Sequence, residues 1–171
     1  MVLAGKALLV GFVSLLVQGI LQRCGVADYF IPQCIVVVVV FLAFYEISLV
    51  GASLAFVLGL LTDLAAGHSL GPWAGACVTV YGVFVLLSQR LFIDSGPVAM
   101  AVSALSVVLA QLLYLSIESN RPEFSLSLLA EILASAVCSG LCAPLVFALL
   151  ARRVGKVSSP VSGRSTVLTS L

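Results

Sequence analysis

The chain of 171 residues is 62% apolar and only 9% charged, with a mean hydropathy of +1.27 and a net charge of +1. Soluble domains average about 25% charged residues, so this composition excludes an ordinary water-soluble fold and describes an integral membrane protein. Six crossings at about 20 residues each would use roughly 120 positions, which leaves no room for a soluble catalytic domain. The near-neutral balance gives no sign of nucleic-acid binding.

In chain order, apolar windows predict spans near 4–22, 30–48, 49–66, 71–92, 96–117 and 126–151, an all-α bundle forming one domain over 1–156. The first, LAGKALLVGFVSLLVQGILQR, is too long for a signal-peptide core and lacks a small-x-small cleavage site, so it is expected to stay as a span. The second contains IVVVVVF, which would suggest a buried strand in a soluble protein. Its length, and the need to satisfy every backbone group in lipid, favour a helix. Only YEISLVG separates spans two and three, which reads as a tight helical hairpin.

GHSLGP (67–72) and DSGP (94–97) each place glycine ahead of a proline suited to the first turn of the next helix. ESNRPEFS (118–125) is the longest polar loop. The basic, Ser/Thr-rich tail 157–171 is non-periodic and expected to be disordered. With both termini inside, the cytoplasmic side receives Lys6, Arg90, Arg152, Arg153, Lys156 and Arg164, and the outer side only Arg23 and Arg121. The positive-inside rule therefore favours cytoplasmic termini and an outer position for the end of span three.

Residues four apart share a helix face. On span three that spacing gives Gly51, Ala55, Gly59, Asp63 and Gly67, continuing to Gly71 in the loop. All but the aspartate are small, as at close-packed membrane helix interfaces, so the face is expected to meet protein rather than lipid. Span six carries Ser127, Glu131, Ser135, Ser139 and Ala143 at the same spacing; span one contributes Ser14, Gln18 and Gln22, and span five Gln111. Gln18, Asp63, Gln111 and Glu131 thus fall at similar depth, with Glu131 the first candidate neighbour of Asp63. Three readings stay open: polar glue between helices, an outward-facing cavity for a ligand or a partner's helix, and an ion path. No lysine or arginine lies deep in a span as a counter-charge for the last.

Chemistry has little support. His68 is the only histidine and belongs to a loop, which removes zinc-protease motifs and most triads. An intramembrane aspartyl protease needs two aspartates at one site, and Asp28 and Asp94 lie in loops. Cys24, Cys34, Cys77, Cys138 and Cys142 show no metal-type spacing and read as packing residues. Neither a metal nor a cofactor is expected. Tyr114 and Trp73 at span ends fit an interfacial aromatic belt.

Pro32 opening span two, FYEISLVG, and GASLAFVLGLLTDLAAGHSLG with Gly59, Leu60, Asp63, Gly67, Leu70 and Gly71 resemble the MreD family of bacterial rod shape-determining membrane proteins. The motif covers about forty residues; chain length and span count also fit. This resemblance implies a non-enzymatic component of the inner membrane that takes part in cell-wall elongation and peptidoglycan synthesis. It implies MreC as partner, with MreB and the SEDS glycosyltransferase and its class B penicillin-binding transpeptidase; a homodimer is compatible with it. The family is also thought to resemble the six-helix substrate-binding subunits of energy-coupling-factor transporters, which keeps a small-molecule-binding vitamin-transporter subunit as the alternative. The tail beyond Lys156 is longer than that pattern leads one to expect, and it is assigned no role beyond basic attraction to anionic lipid near Arg152 and Arg153.

Overall fold

The computed structural model describes residues 2–25, 31–67, 70–89, 96–117 and 126–151. Its regular structure there is entirely helical: α1 (Val2–Arg23), α2 (Cys34–Tyr45), α3 (Leu49–Ala66), α4 (Pro72–Ser88), α5 (Gly96–Ile117) and α6 (Leu126–Ala151). Four of them, α1, α3, α5 and α6, are long and apolar enough to cross a membrane, and α2 and α4 are shorter apolar helices. His68, Asp28, Asp94, the loop 118–125 and the tail 157–171 lie outside the described residues, as do Arg90, Arg121, Arg152, Arg153, Lys156 and Arg164, on which the expected orientation rests.

The sequence window 30–48 is too long for the second helix. Twelve residues rise about 18 Å, well short of the roughly 30 Å of a bilayer core. The physical reason is its place in the fold: α2 packs against each of the other five helices, and every residue from Ile35 to Ala43 is buried. A helix apolar on all sides belongs in the centre of a bundle. The valine run suits that position because β-branched side chains, already stiff at χ1, lose little freedom on packing. Phe41 completes the inner layer, stacked on Tyr45 with ring centroids 4.3 Å apart and edge-on to Phe147 at 5.3 Å.

Because α2 stops short, its free N-terminal amides need partners inside protein. Ser139 of α6 supplies one, its Oγ accepting from the Gln33 backbone N–H at 2.8 Å while donating to the Ser135 carbonyl at 2.7 Å. The neighbouring α5–α6 seam is built from small residues. Ala99, Ser103, Ser106 and Ala110 on α5 and Ser135, Ala136, Ser139, Gly140 and Ala143 on α6 are all buried. A side chain at Gly140 would bring a Cβ within 3.1 Å of the Met100 carbonyl oxygen. By contrast α1 is the least enclosed helix, and Leu9, Phe12, Leu16 and Ile20 point outward, as an apolar exterior in lipid requires.

Candidate functional site: a capped helix seam and its adjoining cavity

Asp63 sits in the last turn of α3 and is only 1% exposed. Its carboxyl group reaches across to the start of α4. Oδ2 accepts the backbone N–H groups of Gly71 (2.9 Å) and Ala74 (3.2 Å), and Oδ1 accepts that of Trp73 (3.1 Å). The amides of a helix's first turn have no intrahelical acceptor, and a local Ser, Thr, Asp or Asn usually takes them. Here the residue before α4 is Gly71, which has no side chain to offer, and Pro72 at the first helical position lacks an N–H. Asp63 performs the capping from eight to eleven residues away, where its negative charge also meets the positive end of the α4 dipole.

The intervening turn makes this reach feasible. Gly67 closes α3 in the left-handed region (φ 68°), its N–H donating to the Asp63 carbonyl at 3.2 Å, and Gly71 has φ 123°. Both angles favour glycine. Asp63 therefore ends one helix through its backbone and starts the next through its side chain.

One turn below, Gly59 lets the two helices touch. A Cβ there would lie 2.6 Å from Ala74 Cα, 2.7 Å from the Trp73 carbonyl oxygen and 2.9 Å from the Ala74 nitrogen. Ala55 is fully buried, and Gly51 lies against the Tyr81 ring and the Glu46 carbonyl. The Tyr81 hydroxyl donates to the Glu46 carbonyl at 2.6 Å and accepts the Ser48 N–H at 3.2 Å. It thereby pins the link between α2 and α3 to the middle of α4. The face read from the four-residue spacing is thus an internal seam closed at one end by Asp63 and at the other by Tyr81.

Tyr81→Phe is expected to keep the ring packing while removing the hydroxyl's hydrogen bonds; the Glu46 carbonyl keeps the Ser48 N–H at 2.9 Å, so the loss is about 0.5–1.5 kcal/mol. Thermal melting of the detergent-extracted protein measures it. An unchanged midpoint would show that water replaces the hydroxyl without cost.

The other expected polar residues do not join Asp63. Gln18, Gln111 and Glu131 instead line a neighbouring cavity of about 390 Å³, whose walls come from all six helices and among whose lining residues Asp63 does not appear. Glu131 is exposed, so its expected pairing with Asp63 gives way to a physical division: the backbone amides of α4 occupy the aspartate, and the glutamate stays on the cavity wall.

The Gln18 amide donates to the Pro32 carbonyl at 2.7 Å, which ties α1 to the segment ahead of α2. Gln111 Nε2 donates to Ser135 Oγ at 2.8 Å. The Ser135 hydroxyl proton is directed to the Ile132 carbonyl at 3.2 Å, so Ser135 acts as acceptor toward Gln111 and sets the orientation of that amide. Gln111 Oε1 and Gln33 Oε1 are buried without hydrogen-bond partners among the described residues. Trp73 and Tyr114 stack on the cavity wall with centroids 4.8 Å apart.

Sequence reasoning overlooked Tyr81 and Gln33, and placed Ser139 on the polar face of span six without its partner. Tyr81 offers no local signal because its partners are 33 and 35 residues away. Among the described residues there is no group of three or more potential metal ligands. All five cysteines are free thiols.

A bundle of apolar helices around a uniformly apolar centre, with its buried acid used as a cap between helices, defines a multi-pass helical membrane protein. More particularly, the chain belongs to the MreD family: the family model for the rod shape-determining protein MreD matches residues 3–153, which takes in nearly the whole helical region. The family assigns it a role in determining rod shape. Comparison with curated proteins and with solved structures finds no match.

Proposed function

We infer that this protein is a non-enzymatic scaffold of the cell-wall elongation complex in the bacterial inner membrane, with both termini cytoplasmic. Its partners in this reading are MreC, the MreB filament, and the SEDS glycosyltransferase with its class B penicillin-binding transpeptidase. The observation that carries the reading is the fate of Asp63. The one buried acid among the described residues is spent on three backbone hydrogen bonds, which favours a rigid building element over a reacting group. Family membership across residues 3–153 supplies the cellular context.

Complementation of a rod-shaped bacterium depleted of its own MreD, combined with native co-purification from its membranes, tests the proposal. Restored rods and recovery of MreC with the wall synthases are expected. Recovery of an ATPase module in their place, with cells left round, would sink it.

A further inference from the structure

The cavity has features that a simple packing defect lacks. Its volume of about 390 Å³ lies within the range of small-molecule sites, roughly 300–1,000 Å³. Most of its wall is apolar, from residues such as Ile31, Val36 and Leu115, with a few polar groups converging from separate helices. Gln111 Oε1 and Gln33 Oε1 are buried and closed off from the cavity, which leaves the exposed Glu131 carboxyl group as the acceptor open to a ligand.

Helix dipoles do not decide the sign of a ligand here. The N-terminal parts of α2, α4 and α6 and the C-terminal parts of α1, α3 and α5 meet around the cavity, and Asp63 already covers the start of α4. The selection falls to the side chains. Among the described lining residues Glu131 is the only carboxylate and there is no lysine, arginine or histidine, and the stacked Trp73–Tyr114 pair offers an aromatic surface for an apolar body.

We propose that this cavity binds an amphipathic molecule through a primary ammonium group paired with Glu131, its apolar body against Trp73 and Tyr114. An ammonium carries a positive charge, donors and no acceptor, which complements a lone carboxylate. The group can belong to a free amine or to the headgroup of an aminophospholipid. Binding is independent of the scaffold role, so its failure leaves that reading untouched.

Trp73 is the sole tryptophan and stands on the cavity wall, so intrinsic fluorescence reports occupancy directly. The full chain in nanodiscs of phosphatidylcholine and phosphatidylglycerol is titrated with phenethylammonium, with the neutral phenethyl alcohol and with the anionic 3-phenylpropanoate. Shifts in melting temperature provide a second readout. A saturable response to the ammonium is expected, at least about tenfold weaker for the other two, and weakened about tenfold or more by Glu131→Gln, in keeping with a charge-assisted hydrogen bond.

A parallel set of nanodiscs containing phosphatidylethanolamine separates the two sources. A Glu131-dependent change in Trp73 emission that competes with the free amine identifies the lipid headgroup; its absence alongside amine binding identifies a free amine. Equal responses to all three compounds, a response indifferent to Glu131→Gln, or no saturable signal by either readout in either membrane would overturn the proposal.

Discussion

Asp63→Leu is expected to strip the membrane of folded protein and with it the capacity to restore rod shape. The substitution leaves the amides of Gly71, Trp73 and Ala74 facing a hydrocarbon side chain in a site only 1% exposed. Each buried donor without a partner costs about 1–3 kcal/mol, and three together compete with the whole stability of a typical domain, about 5–15 kcal/mol. Leucine also branches where the aspartate is flat, against a backbone that has no room to withdraw.

Asp63→Asn separates hydrogen bonding from charge. With its amide oxygen in the Oδ2 position, asparagine keeps Gly71 and Ala74 but turns an N–H₂ toward the Trp73 amide, donor against donor. A loss of about 1–3 kcal/mol follows, with folded protein still recoverable. Membrane abundance, melting temperature and shape complementation measure both variants. Equal failure of the asparagine and leucine proteins in all three would mean that the negative charge, and not the number of acceptors, is what the position requires.

Gly59 should be the second most sensitive position. Even alanine would place a Cβ 2.6–2.9 Å from backbone atoms of Trp73 and Ala74, and backbone cannot rotate aside as a side chain can. The helices must separate, which costs about 1–3 kcal/mol for one methyl and more for a branched residue, and the displacement also stretches the Asp63 cap one turn away. Gly59→Val is therefore expected to resemble Asp63→Leu, with Gly59→Ala intermediate. Gly82→Ala on α4 makes a matched control: nothing lies within 4 Å of its Cβ, so the change should stay within about 1 kcal/mol and favour the helix. A Gly59→Ala protein as stable as Gly82→Ala would refute a tight seam at that point.

Much of this architecture is legible along the chain because it depends on local properties. Apolar runs long enough to cross a bilayer, with backbones that must satisfy themselves in lipid, lead to helices and to their number without reference to neighbours. The four-residue recurrence of Gly51, Ala55, Gly59 and Asp63 identifies a single face for the same reason: a helix's own geometry places them together. GHSLGP signals a helix end and a helix start because glycine and proline act on their own dihedral angles.

What meets that face is not a local property. Asp63 could reach Glu131, a partner's helix or the start of α4 with equal right in the sequence, and only the packed chain puts the amides of Gly71, Trp73 and Ala74 within reach of both oxygens. The same holds for Tyr81, whose acceptors are more than thirty residues away, and for the cavity, whose lining is gathered from six helices. Even α2 shows the division. Its uniformly apolar sequence determines that it is buried in something, lipid or protein, since hydrophobic transfer responds only to leaving water. That it is enclosed by the other five helices, and so can stop at twelve residues, was decided by tertiary structure alone, because the shielding of its short ends depends on neighbours from distant parts of the chain.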